Sequence, residues 1–262
     1  MGRGMPGAAR VHRALVLGGA MTATTAPSPG PSHPAPPGGR SYPLRLDAVP
    51  PSGLSRWLWL VKWVLLIPHG IVLAFLWLAY LLLWPVVLVT VVVTGRYPRG
   101  IFDFQVGVLR WSWRVGYYGY GVLGTDRYPP FTLAEVPDYP TGLTVDYPEQ
   151  LSRGLALVKW WLLAIPHYVV IALLNGPQTR WEDAEGVQYQ SQIGLIGILV
   201  LVVGVVLLVS GAYPRGLYDL VMGLNRWVYR VGAYASLMTD EYPPFRLDMG
   251  PAESARGVAG GV

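Results

Sequence analysis

The chain has 262 residues, of which 13% are Asp, Glu, Lys or Arg, about half the roughly 25% usual in soluble domains, so a wholly water-facing surface is hard to build from it. The absence of Cys excludes disulfides, thiolate metal sites and cysteine nucleophiles. A formal charge of +5 arises from basic residues beside apolar segments rather than from clustered Lys/Arg tracts, which argues against nucleic acid as a partner.

Residues 1–40 are rich in Pro, Gly, Ala, Ser and Thr and have no apolar periodicity, so disorder is expected there. Ala14 to Ala20 follows Arg3, Arg10 and Arg13 but is too short and too Gly-rich for a secretory h-region, and Met21 is an alternative start.

Two copies of one unit follow, at 41–136 and 137–249. Lys62-Trp63 before Ile67-Pro68-His69 returns as Lys159-Trp160 before Ile165-Pro166-His167. Tyr97-Pro98-Arg99-Gly100 returns as Tyr213-Pro214-Arg215-Gly216, and Arg110-Trp111 with Arg114-Val115-Gly116 as Arg226-Trp227 with Arg230-Val231-Gly232. Thr125-Asp126 before Tyr128-Pro129-Pro130-Phe131 returns as Thr239-Asp240 before Tyr242-Pro243-Pro244-Phe245.

Trp63 to Thr94 contains no charged residue, and as one helix it would be about 48 Å long against a hydrocarbon core of about 30 Å. In copy two a polar insertion, the loop 175–192, breaks the corresponding stretch. Each copy is therefore predicted to open with a transmembrane helical hairpin: 56–76 with 79–94, and 153–174 with 193–210. The Lys/Arg distribution places both termini in the cytoplasm and the 175–192 loop outside, for a multi-pass protein of the cell membrane with parallel repeats.

After each hairpin, Arg99, Asp103, Arg110 and Arg114, and correspondingly Arg215, Asp219, Arg226 and Arg230, fall on one helical stripe. The stripe predicts an amphipathic helix in the interface, its guanidinium groups at headgroup depth facing anionic lipid; the alternatives are a buried third span and internal Arg/Asp pairing. Alternating segments at 42–47, 130–133, 142–146 and 245–248 read as strands of a small cytoplasmic sheet. Residues 250–262 read as a flexible tail.

These motifs resemble the bacterial membrane-protein family known as domain of unknown function 4389. The resemblance rests on Ile67-Pro68-His69, on Thr94 to Gly100 with Phe102-Asp103, on Arg110-Trp111 and Arg114-Val115, and on Thr125 to Phe131. It covers 42–248 and implies an integral membrane protein, with no activity, substrate or catalytic residue attached. Copy two departs from it with Ala212 in place of Arg96 and Tyr218 in place of Phe102.

The fold class expected is thus a mainly α integral membrane protein with short strands. No catalytic signature, metal set or cofactor motif is present. His69 and His167 are the intramembrane polar candidates, for proton or ion handling or for satisfying the carbonyls freed by Pro68 and Pro166. Lys62 and Lys159 are expected to snorkel to headgroups. The leading expectation is a non-enzymatic inner-membrane scaffold that binds anionic lipid headgroups, a membrane-protein partner or a second copy. The alternatives are a small transporter or channel using His69 and His167, and a membrane-embedded lipid-modifying enzyme.

Overall fold

The computed structural model describes residues 42–175, 179–182, 188–191 and 194–247. The 1–40 segment, the 250–262 tail and parts of the 175–192 loop, each assigned a role from sequence, lie outside the described residues.

Copy one comprises β1 (Leu44–Ala48), α1 (Lys62–Thr94) and α2 (Arg99–Tyr118). The turn expected between residues 76 and 79 does not form, and α1 runs through 33 residues as one helix. The reason is local: residues 74–84 contain no Gly, Pro, Asn, Asp or Ser to reverse the chain. Reversal comes first at Gly95, whose φ of +71° lets it cap α1 in the left-handed conformation. The helical hairpin of copy one is therefore α1 with α2.

Copy two follows as β2 (Thr141–Val145), α3 (Arg153–Val158), a π-helical stretch (Lys159–Leu163), α4 (Ile165–Asn175), the inserted hairpin β3 (Thr179–Glu182) and β4 (Gln188–Ser191), α5 (Leu195–Ser210) and α6 (Arg215–Ala235). Gly211, with φ +68°, caps α5 as Gly95 caps α1. Here too the hairpin expected at 153–210 is replaced by a single traverse. Trp160 packs against Trp84 near the C-terminal end of α1, and Leu151 N–H donates to Gly95 O at 2.9 Å. At the other end of the traverse Gly204 lies against Trp59 and Gly211 against Arg56. The path from α3 to α5 thus runs from the end of α1 to its beginning, and the two long helical paths are antiparallel rather than parallel.

α2 is covered on more than one face rather than along a single apolar stripe. Its residues Phe102, Gln105–Leu109, Trp111, Trp113, Arg114, Tyr117 and Tyr118 are buried. One face turns to α1: Gln105 donates to Tyr80 O, Trp77 to Ser112 Oγ, and Gly119 lies against Leu66. About half a turn away, at 100° per residue, Arg110 and Trp113 meet β2. The aromatic residues distributed around the whole helix are the physical reason: each face finds a neighbour. The layers are therefore the long helices, then α2 and α6, then the strand pair.

β1 and β2 pair antiparallel with Leu46 opposite Leu143, both buried. The other segments that alternate in sequence, 130–133 and the described part of 245–248, form no strand. The cross-copy contacts come in equivalent pairs. Arg110 donates to Leu143 O at 3.0 Å and Arg226 to Leu46 O at 3.4 Å. Tyr42 donates to Glu241 O and Tyr139 to Arg127 O. Tyr97 donates to Ser236 O and Tyr213 to Val122 O. Even the left-handed non-glycine residues match, Leu123 at φ +58° and Leu237 at φ +64°. Reciprocity of this kind is the mark of a two-fold relation, here an internal one passing through the Leu46/Leu143 pair.

Candidate functional site

α1 turns Lys62, His69 and Tyr80 inward with three aliphatic residues and leaves a largely apolar face outward. Lys62, His69, Leu73, Tyr80, Val87 and Val91 are its buried positions, spaced seven, four, seven, seven and four residues apart as a single seam on a helix requires. Opposite them Phe75 and Leu82 are each 68% exposed. By length and composition Lys62–Thr94 and Arg153–Ala172 are long and apolar enough to cross a membrane, with the shorter apolar helix Leu195–Ser210 beside them.

Lys62 and Lys159 do not snorkel; each is buried in a clamp. Lys62 Nζ donates to Thr125 O at 2.7 Å and pairs with Asp126 Oδ1 at 3.0 Å. Asp126 Oδ2 in turn accepts Ser55 N–H at 2.5 Å. In copy two Lys159 Nζ meets Thr239 O at 2.8 Å and Asp240 Oδ1 at 2.7 Å, and Ser152 N–H donates to Asp240 Oδ2 at 2.6 Å. The Thr-Asp motif therefore ties the loop after each second helix to the entrance of the long helix. A charge removed from water needs such multiple partners, which snorkelling would not have supplied.

His69 and His167 are fully buried under aromatic lids. His69 stacks on Phe131 at 3.9 Å and leans on Tyr128 at 4.9 Å. Trp111 Nε1–H donates to His69 Nδ1 at 3.1 Å, which makes Nδ1 the acceptor and puts the ring proton on Nε2. His167 repeats the stack, on Phe245 at 4.3 Å and Tyr242 at 4.8 Å. It lacks the indole bond: His167 Nδ1 and Nε2 and Trp227 Nε1 have no hydrogen-bond partner.

The Arg/Asp stripe divides. Arg99 and Asp103 pair across one turn at 3.5 Å and are exposed, as are Arg215 and Asp219. Arg110, half-buried, serves β2, while Arg114 is buried and donates to Thr132 O and Ala134 O. Burial first, and then the charge of Arg110, lower the Arg114 pKa from its free value. Arg226 and Arg230 are likewise buried. The four residues of each stripe share one face of α2 or α6, open at the Arg99/Asp103 and Arg215/Asp219 end, met by a strand at Arg110 and Arg226, and covered at Arg114 by the 132–134 segment. Two features escaped the sequence reading: the Lys–Asp clamps, signalled by the repeated Thr-Asp, and the lids, signalled by Phe131 and Phe245 at constant distance from it.

Among the described residues no three His, Asp or Glu gather as a metal site. Two segments, 56–132 and 187–246, match the family model described as Domain of unknown function (DUF4389), together just over half of the chain. The chain belongs to that family. It carries the DUF4389 unit as two tandem copies. The first match takes in α1, α2, Asp126 and Phe131. The second takes in α5, α6, Asp240 and Phe245 and begins within the insertion, so Lys159 and His167 fall outside it. Lys159 nonetheless repeats the clamp of Lys62, and His167 repeats the aromatic stack of His69 without its indole bond. No curated protein and no solved structure matches the chain.

Proposed function

We propose that this DUF4389 protein is a non-enzymatic membrane scaffold: its long helices seat it in the bilayer, and its polar face is held at the cytoplasmic surface to engage anionic headgroups or a protein partner. The observation that carries this reading is the inside-out character of α1. Its buried seam includes Lys62, His69 and Tyr80, while its outward face has no charged side chain from Trp63 to Thr94. In water such an uninterrupted apolar face would drive association, whereas lipid is its natural solvent.

Headgroup contact falls to the exposed arginines at the ends of the long helices, Arg56, Arg96, Arg99, Arg153 and Arg215, each worth about 1 kcal/mol near an anionic surface. The anionic cytoplasmic leaflet is the surface that such a set of arginines suits. A transport reading through His69 and His167 is weakened because each imidazole is fully buried beneath a stacked aromatic ring.

The test is alkaline carbonate extraction of native membranes, followed by co-sedimentation of the purified protein with vesicles. The reading expects retention in the membrane pellet and tighter association with anionic than with neutral vesicles. Release into the carbonate supernatant rejects it.

A further inference from the structure

α1 has 33 residues and so measures about 50 Å; fitting that length across a hydrocarbon core of about 30 Å demands a tilt of about 50°, beyond the 0–40° that membrane helices adopt. Tilt alone does not resolve the conflict. β2 meets α2 near its midpoint, at Arg110 and Trp113, and α2 runs back along α1. If α1 crossed the bilayer, the strand pair would sit at mid-membrane depth, with the Arg45–Asp146 ion pair at its surface and Asp146 more than half exposed. Lipid does not tolerate an exposed strand edge or an ion pair there. The inserted hairpin β3–β4, placed midway along the copy-two traverse, would meet the same objection.

The conflicts of α1 and of the strand pair disappear if the molecule is turned by a right angle. Its apolar surface lies at one end of the internal two-fold axis, on α1 and α5, and its polar strands at the other. We propose that the protein is monotopic. The two-fold axis stands along the bilayer normal, α1 and α5 lie in the plane of one leaflet, and β1 and β2 face water. This rests on the membrane seat proposed above and specifies its geometry.

The occupant of the apolar face is one leaflet of an anionic bilayer. A helix is about 10 Å across, which suits the 5–10 Å to which in-plane helices sink. The charges agree. Arg96, Arg99 and Arg153 cluster at one end of the long-helix layer, and Arg56 and Arg215 at the other, all exposed. A crossing orientation would put these two groups on opposite sides of the membrane; the in-plane orientation brings both to the headgroups of one leaflet, where guanidinium meets phosphate.

The chain has no Cys, so single cysteines can be introduced without background. Val64, Ile71, Leu78 and Val89 are exposed and share the outward face of α1. Val64→Cys, Ile71→Cys, Leu78→Cys and Val89→Cys, each spin-labelled in the full-length protein and reconstituted in vesicles containing anionic lipid, report depth along the helix. The proposal expects one common depth for all four, about 5–10 Å below the headgroups. A steady gradient from Val64 to Val89, which marks a crossing helix, overturns it. So does a label at Leu78 that reaches the far surface while Val64 and Val89 stay near the first, which marks a hairpin. If no label senses lipid at all, the membrane seat itself fails, and that outcome is distinct from the other two.

Discussion

Arg110 Nε–H donates to the carbonyl of Leu143 at 3.0 Å, so a helix of copy one holds the strand of copy two. Arg226 and Leu46 make the reciprocal contact. Neither copy can complete its own polar layer. Arg110→Gln is expected to lower stability by about 1–2 kcal/mol, the range for a charge-assisted bond that keeps some access to water. Thermal unfolding in detergent checks this. Separately produced 41–136 and 137–249 segments are expected to co-purify, and independent soluble folding of either would contradict the exchange.

The Lys62–Asp126 clamp predicts an asymmetry between its partners. Asp126→Ala strands a lysine whose side chain is 2% exposed and also releases Ser55 N–H, so a loss of about 3–5 kcal/mol is expected. Lys62→Met leaves Asp126 with one-quarter exposure and the Ser55 bond and should cost less. The double variant is expected to recover part of the Asp126→Ala loss, which a double-mutant cycle reads directly.

Trp111 and Trp227 occupy equivalent positions but only Trp111 bonds its histidine. Trp111→Phe should therefore cost about 1 kcal/mol more than Trp227→Phe in the same unfolding assay. Equal effects would mean that the indole bond contributes nothing beyond packing.

Gly107 and Gly223 let the post-loop segments lie directly on α2 and α6. A Cβ at Gly107 would meet Leu133 Cβ at 2.8 Å, and one at Gly223 would meet the Leu247 carbonyl at 2.5 Å. Ala at either position is expected to destabilise by about 1–3 kcal/mol, the usual cost of overpacking. Gly116→Ala, where a Cβ meets nothing within 4 Å, is the neutral control.

Arg99 and Arg215 are exposed while Arg114 is buried, so their neutralisation should separate two effects. Arg99→Gln or Arg215→Gln is expected to weaken binding to anionic vesicles by about fivefold, roughly 1 kcal/mol, with little change in melting temperature. Arg114→Gln is expected to lower the melting temperature and leave the vesicle affinity of the folded fraction unchanged.

Much of this arrangement was legible in the sequence. The repeat, the apolar stretches and the strands at 42–47 and 142–146 all followed from pattern, because the 2.0 and 3.6 periodicities and turn residues are local signals. The direction of the copies was not legible. Whether 63–94 reverses is decided by the absence of any turn residue near 77, a negative signal that the length of the stretch obscured. The spacing puts the Arg/Asp stripe on one side of α2, but spacing alone cannot say whether water, lipid or a strand covers that side. The strand that covers Arg110 comes from 33 residues further along the chain, and contacts at that range leave no local trace.

The two copies interlock through β1 and β2 about the Leu46/Leu143 pair, and cross-strand oxidation tests this most directly. Arg45 faces Thr144 in the register, so their Cβ atoms are expected about 4.5–5.5 Å apart, within reach of a disulfide after slight adjustment. In the otherwise cysteine-free chain, Arg45→Cys/Thr144→Cys should oxidise in native membranes to an intramolecular disulfide that keeps the two copies joined after proteolysis between them. Free thiols that persist under oxidant, with the copies separating on cleavage, would contradict the account.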